Sequence, residues 1–245
     1  METQRELGAP WRSGIQGARA NLVPGIILQL AALALVLGFY NLPAIHGALF
    51  RLMAVRKTYG YALSVVTTAL FGGFIPFLVL HFASRGIPDA AYSWAQGLGL
   101  TSFWAYKGFE IDFWYHLQAL FFGNGHDPHT IVIKVFMDQL VYCPVLAVPM
   151  TTAVYELVDS HGNWRAVGAD IRAPHWYLRK VLPILISNLG VWVPAVAVIY
   201  CLPTPLQLPL NNIVMCFYTL VVIHQTKSAA RSAGPGGLAG QGGQT

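Results

Sequence analysis

The sequence predicts an all-α protein, a polytopic transmembrane helical bundle of about six spans, within a range of four to six. Three observations predict it. Hydrophobic residues make up 55% of the 245 residues and charged residues only 10%, where a soluble domain carries about 25% charged residues. Apolar runs long enough for a bilayer recur along the chain, each near the roughly twenty residues a spanning helix needs. The Lys and Arg residues fall in short segments between those runs, which suits a topological role. The net charge of +5 is therefore not read as nucleic-acid binding, because the basic residues form no stripe interleaved with aromatics. The lipid bilayer is the expected partner.

The elements follow in order. Residues 1–21 form a polar N-terminal segment with Arg5, Arg12 and Arg19. The apolar run after it is too long for a signal-peptide core and lacks an A-x-A exit, so it reads as a retained first helix. Residues 22–226 form a single transmembrane domain. The first span covers about Leu22 to Phe39 and ends at Asn41 and Pro43. Ala44 to Met53 is a shorter apolar piece, either lying on the surface or extending the first helix beyond a kink. The second span runs about Tyr61 to Phe82, where Ala69 and Gly73 permit close helix approach. Gly72, Gly73 and Pro76 together predict a bend there. Ala90 to Phe109 is a weaker third span, interrupted by glycines but rich in belt aromatics. Asp112 and His116 then sit in a short interfacial helix closed by Gly123-Asn124-Gly125.

The fourth span, Ile131 to Tyr155, is followed by a polar connector from Glu156 to Lys180. The fifth is about Val181 to Leu202 and the sixth about Leu208 to Thr226. Between these last two, Pro203, Pro205 and Pro209 force a tight turn and make the helices antiparallel. Residues 227–245 are rich in Gly, Ser and Ala and predict a disordered tail. With six spans, the N-terminus, the loop of Arg85, the basic connector and the tail share one side. Arg51, Arg56 and Lys57 are left on the other, so the positive-inside rule puts both termini in the cytoplasm.

The fourth span carries the feature that asks for explanation. Lys134, Asp138 and Gln139 stand where hydrocarbon is expected, and ionisable groups at that depth face a bundle interior or a watery cavity. Lys134 and Asp138 are four apart and can pair on one helix face. Tyr142 continues that face, and Asn188 of the fifth span can bond across helices. Two readings remain: a neutralised pair that joins helices, and a polar lining for a pore or substrate path. A metal site is not expected. His126, Asp127 and His129 lie in a turn-forming loop with no second cluster at ligand spacing. Cys143, Cys201 and Cys216 sit in apolar segments without a CxxC spacing, as free thiols. No nucleophile elbow or phosphate loop occurs, and neither enzyme activity nor a cofactor is expected.

Three motifs in order carry a resemblance. They are Gly72-Gly73-Phe74-Ile75-Pro76, the run KVFMDQLVYCP from Lys134 to Pro144, and the stretch from Val191 to Leu220 with Trp192, Pro194 and Pro203. The chain resembles a bacterial-type member of the Mpv-seventeen/peroxisomal-membrane-protein family over Tyr61 to Thr226. It departs from the family pattern at Gln207, where an Arg is usual, and at Phe217 and Tyr218, where a Trp is usual. The resemblance implies Gly72, Gly73, Pro76, Asp138, Gln139, Pro144, Trp192, Pro194 and Pro203 as motif positions. It implies an integral membrane protein, and for some members a channel, with no firmly assigned solute. The expected function is a small channel or solute-permeation protein with a polar intramembrane seam. The alternative is a structural or assembly protein of the membrane. Because six short helices make a narrow bundle, a pore would need a homo-oligomer or a very small solute. The expected location is the bacterial inner membrane for a bacterial chain and an organelle membrane for a eukaryotic one.

Overall fold

The computed structural model describes residues 9–83 and 92–232. Among them the chain forms nine helices and no strand. Helix α1 is Ala9–Ala20, α2 is Leu22–Asn41 and α3 is Pro43–Tyr59. Helix α4 comprises Tyr61–Thr68, a π-helical segment Ala69–Phe74, and Ile75–Ala83. Helix α5 is Trp94–Phe122. Helix α6 comprises Pro128–Phe136, a π segment Met137–Ala147, and Val148–Asp159. Helix α7 is Trp164–Arg172; α8 joins a π turn Tyr177–Val181 to Leu182–Ile199; α9 is Thr204–Ser232.

Among the described residues, four helical stretches are long and apolar enough to cross a membrane: Leu22–Asn41, Tyr61–Phe82, Pro128–Asp159 and Tyr177–Ile199. The burial pattern agrees, because it is inverted relative to a soluble protein. Arg56, Lys107, Glu110, Asp112, Gln118, Lys134, Asp138 and Gln139 are buried, whereas Ile27, Leu30, Val66, Leu120, Val132 and Val145 are exposed. A surface of that kind suits lipid tails, and the polar groups retreat to where protein can satisfy them. This is an integral membrane protein.

The weak third span and the separate interfacial helix predicted after it are one continuous helix, α5, of 29 residues. Ser93 starts it with a capping box to Gln96. The expected break at Glu110 does not occur, because the polar residues fall on one face. Lys107, Glu110, Tyr115 and Gln118 are buried while Tyr106, Phe109, Phe113 and Leu120 are exposed. A helix that faces lipid on one side and a polar interior on the other has low average hydropathy yet still suits the bundle. It runs the length of α6 in the opposite direction. Gln96 Nε2 donates to the Val158 carbonyl at one end, and Trp114 Nε1 donates to Asp138 further down.

The other pairs alternate in the same way. α4 lies antiparallel to α5, with Gly73 opposite Thr101 and Gly108 opposite Ser64. α2 runs parallel to α8, through Gln29 Nε2 to the Val191 carbonyl and Tyr40 hydroxyl to the Cys201 carbonyl. Residues 9–20 of the polar N-terminal segment form α1, which lies along α8. A Cβ on Gly14 would stand 2.9 Å from Ile186 Cβ, and one on Gly17 3.1 Å from Ser187 Oγ. Small residues again permit the close approach. The predicted tail is helical through Ser232; residues 233–245 and the loop of Arg85 lie outside the described residues.

The three π segments each precede a proline in the chain. Ala69–Phe74 leads to Pro76, Met137–Ala147 contains Pro144 and leads to Pro149, and Tyr177–Val181 leads to Pro183. A proline removes one N–H and crowds the carbonyl four residues back, and a widened turn relieves both. The bend predicted from Gly72, Gly73 and Pro76 thus takes the form of a π segment. Pro194 and Pro209 stand inside α-helix without one.

One charge expected on the far loop is absent from it. Arg56 is buried and pairs with Asp112, leaving Arg51 and Lys57 as the loop cations of that side. The charge asymmetry behind the topological expectation is therefore larger than the sequence count suggests. Reporters fused at the two termini are expected to give matching cytoplasmic signals. Opposite signals would mean that one of α5 and α9 does not cross.

Candidate functional site

The interior polar groups gather between α5, the π segment of α6, and the facing parts of α8 and α9. Lys107 is about 20 Å along α5 from Trp94 and about 22 Å from Phe122 at 1.5 Å per residue, so it lies at mid-depth. Its Nζ donates to Glu110 Oε1 at 2.6 Å and to the Tyr142 hydroxyl at 3.0 Å. The Tyr142 hydroxyl donates in turn to the same Glu110 oxygen at 2.5 Å. An i,i+3 ion pair within one helix is thus clamped by a phenol from the next. The Trp114 ring stacks on Tyr142, with centroids 4.9 Å apart and planes 15° from parallel.

Asp138 is held by neutral donors. Trp114 Nε1 reaches Oδ1 at 2.9 Å and Gln139 Nε2 reaches Oδ2 at 2.7 Å. The wider π turn brings Asp138, Gln139, Tyr142 and Cys143 into the interior together; π segments of this kind recur at functional sites. Two buried acceptors in this layer have no protein partner, Gln139 Oε1 and Glu110 Oε2.

A cavity of about 250 Å³ opens beside these groups. Tyr115, Asp138 and Asn211 stand at its inner end, and Trp104, Lys107, Gln139, Tyr142, Asn188 and Trp192 line its walls. Thr151, Ile184 and Thr219 lie toward the side of the termini, and Ile184 is half exposed. In the other direction the path is filled. Tyr115 and Tyr200 meet edge to face at 5.6 Å, and both are nearly inaccessible, as is Gln118. With its amide oriented to satisfy both ends, Gln118 accepts from the Tyr200 hydroxyl and from Trp114 Nε1, each at 2.6 Å, and donates to the Lys134 carbonyl at 3.0 Å; Trp114 Nε1 is thus shared between Gln118 and Asp138.

A second polar cluster lies toward the α3–α4 end. Asp112 accepts from Arg56 and, at 2.6 Å, from the Ser64 hydroxyl. The His116 Nδ1 is 2.8 Å from the Asp112 carbonyl oxygen, so it carries the proton there. A hollow of about 600 Å³ beside it is lined by Phe50, Met53, Arg56, Lys57, Tyr61 and His116.

Asp138, Gln139 and Tyr142 of α6 and Asn188 of α8 all line the cavity. It does not form the predicted ion pair between Lys134 and Asp138. Lys134 is buried, but its Nζ sits over the Tyr200 ring, 5.9 Å from the centroid. Helical side chains lean toward the N-terminus, so a lysine four residues before an acid points away from it, the less favourable order for such a pair. Asn188 Nδ2 reaches Cys143 Sγ at 4.0 Å. The paired Glu156 and Asp159 at the end of α6 turn to separate partners, Lys180 and Tyr92. Asp127 caps α6 by accepting from the Thr130 amide and hydroxyl, which hold its carboxyl below the ordinary value.

Of the motif positions, Gly72 and Gly73 lie in the α4 π segment, Pro144 in the α6 π segment, and Trp192 at the cavity; Pro203 precedes α9. Sequence reasoning missed Lys107, Glu110, Tyr115, Gln118, Tyr200 and Arg56. The spacing of Lys107, Glu110 and Asp112 within an otherwise apolar run was the available signal. No protein-family model matches the chain, and neither a curated protein nor a solved structure matches it.

Proposed function

We propose that this protein is a small-solute permeation protein whose solute-binding station is the mid-depth cavity beside Lys107, Asp138 and Gln139. The observation that carries this reading is the cavity itself. It is about 250 Å³ in size and bounded by a carboxylate and a buried amide oxygen without a protein partner. A space of that size with polar groups at its wall holds several waters or one small solute. Residues joining helices as structural glue would be expected to spend their hydrogen-bonding capacity on each other. The Tyr115–Tyr200–Gln118 layer then acts as the closed gate on the far side, with access from the side of the termini. The family reading, a bacterial-type member of the Mpv-seventeen family, rests on the order of the three sequence motifs around Gly72-Gly73, Lys134 to Pro144, and Val191 to Leu220.

The test is flux through purified protein in liposomes and reversal potential in planar bilayers under a salt gradient. Wild type is expected to conduct. Asp138→Asn, at equal protein density, is expected to shift the reversal potential away from cations, since a fixed negative charge in a narrow path raises local cation concentration. No flux from correctly folded protein would favour the assembly role instead.

A further inference from the structure

The charge and hydrogen-bond balance of the cavity layer specifies what it takes. The layer holds one cation, Lys107, and two carboxylates, Glu110 and Asp138. Lys107 is committed to Glu110 and to the Tyr142 hydroxyl. Asp138, 5% exposed, receives hydrogen bonds from the neutral Trp114 and Gln139, with the neutral Tyr200 hydroxyl beside it and Lys107 as the cation that acts on it. Lys134, one turn away on α6, is directed to the face of Tyr200. With all groups ionised, Lys107 is shared between two carboxylates, and the layer carries one more negative than positive charge.

The unpartnered atoms have the same sign of preference. Gln139 is 3% exposed and lines the cavity, and its Oε1 is an acceptor without a donor. Glu110 Oε2 is a second open acceptor in the layer, with the Tyr106 hydroxyl as its neighbour. The donors on the α5 and α6 walls are already used: Gln139 Nε2 on Asp138, Trp104 Nε1 on the Tyr155 hydroxyl, Lys107 on Glu110; the amides of Asn188 and Asn211 face them from α8 and α9. A buried acceptor left open costs free energy that an incoming donor recovers. An anionic solute would bring further acceptors to a wall that already has too many.

The rest of the wall is apolar or aromatic, including Trp104, Ile111 and Tyr115. Such faces favour a weakly hydrated organic cation over a bare metal ion, which needs a shell of oxygens. Building on the permeation reading above, we propose that the cavity selects small monovalent cations bearing N–H donors, of the methylammonium-to-guanidinium class. The N–H groups bridge Asp138 and Gln139 Oε1, and the aromatic wall covers the remaining face.

The experiment is a titration of the purified full chain, followed by intrinsic tryptophan fluorescence, because Trp104 and Trp192 line the cavity. Methylammonium and guanidinium at millimolar concentration are expected to give a saturable change that neither acetate nor potassium displaces. Asp138→Asn and, separately, Gln139→Met are each expected to weaken binding about tenfold or more, the size of one lost charge-assisted hydrogen bond. Thermal melting of each variant confirms that it is folded. Equal competition by acetate or potassium, or unchanged affinity in both folded variants, overturns the assignment. Flux in liposomes separates this claim from the one beneath it. Methylammonium that binds without crossing removes permeation and keeps the site. Flux that carries acetate as readily as methylammonium keeps permeation and removes the site's selectivity.

Discussion

Arg56→Met is expected to abolish accumulation of the folded protein at ordinary expression temperature. Arg56 is 6% and Asp112 2% exposed, and the two form an ion pair between α3 and α5. Removing the guanidinium leaves the carboxylate in the bundle with only the Ser64 hydroxyl and the nearby His116 ring. Losing one partner of a buried pair costs roughly 3–5 kcal/mol, a large part of the stability of a small domain. The loss should be recoverable. Asp112→Leu in the Arg56→Met background removes the stranded charge and replaces it with apolar volume, which is often neutral or better than the original pair. A double-mutant cycle on chemical or thermal unfolding in detergent measures the coupling. The expected result is a severe Arg56→Met defect with substantial rescue in the double variant. Additive defects would mean that the two residues act independently.

Gly108→Leu is expected to disrupt the α4–α5 crossing, and Gly108→Ala to weaken it by about 1–3 kcal/mol, the usual cost of overpacking. A Cβ at Gly108 would meet the Ser64 carbonyl group, with its carbon at 2.9 Å, and Thr68 Cβ at 2.9 Å. The first obstacle is backbone, which cannot rotate aside as the end of a side chain can. The same crossing depends on Gly73, where a Cβ would stand 2.7 Å from Thr101 Cα. α4 also carries Thr67 and Thr68, which hydrogen-bond Asn212 of α9, so separating α4 from α5 strains that contact as well. Disulfide trapping between cysteines placed at Tyr61 of α4 and Phe109 of α5, whose rings lie 5.2 Å apart, would report the separation. Efficient cross-linking in Gly108→Leu would mean that the helices still meet.

The all-helical class, the lipid-facing surface and the positions of the four most apolar spans were determined by the sequence alone. Length, hydropathy and the scatter of basic residues are local properties, and a bilayer admits few solutions to backbone hydrogen bonding. The burial of Asp138 and Gln139, and the irregular helix at Gly72 and Gly73, were legible for the same reason: each follows from residues within one segment. The partners of the buried charges were not. Lys134 and Asp138 looked paired because only their own helix was visible, and side-chain lean together with donors from α5 undid the pair. Lys107 and Glu110 looked like a break between elements because their low hydropathy was averaged over a helix with two unlike faces. Arg56 looked like a loop cation until Asp112, 56 residues away, supplied its counter-ion. Spacing within one helix sets which residues share a face. Only the packing of α5 against α3, α4 and α6 decides which charges are neutralised and which acceptors remain open at the cavity, because Coulomb and hydrogen-bond energies at low dielectric depend on contacts across helices.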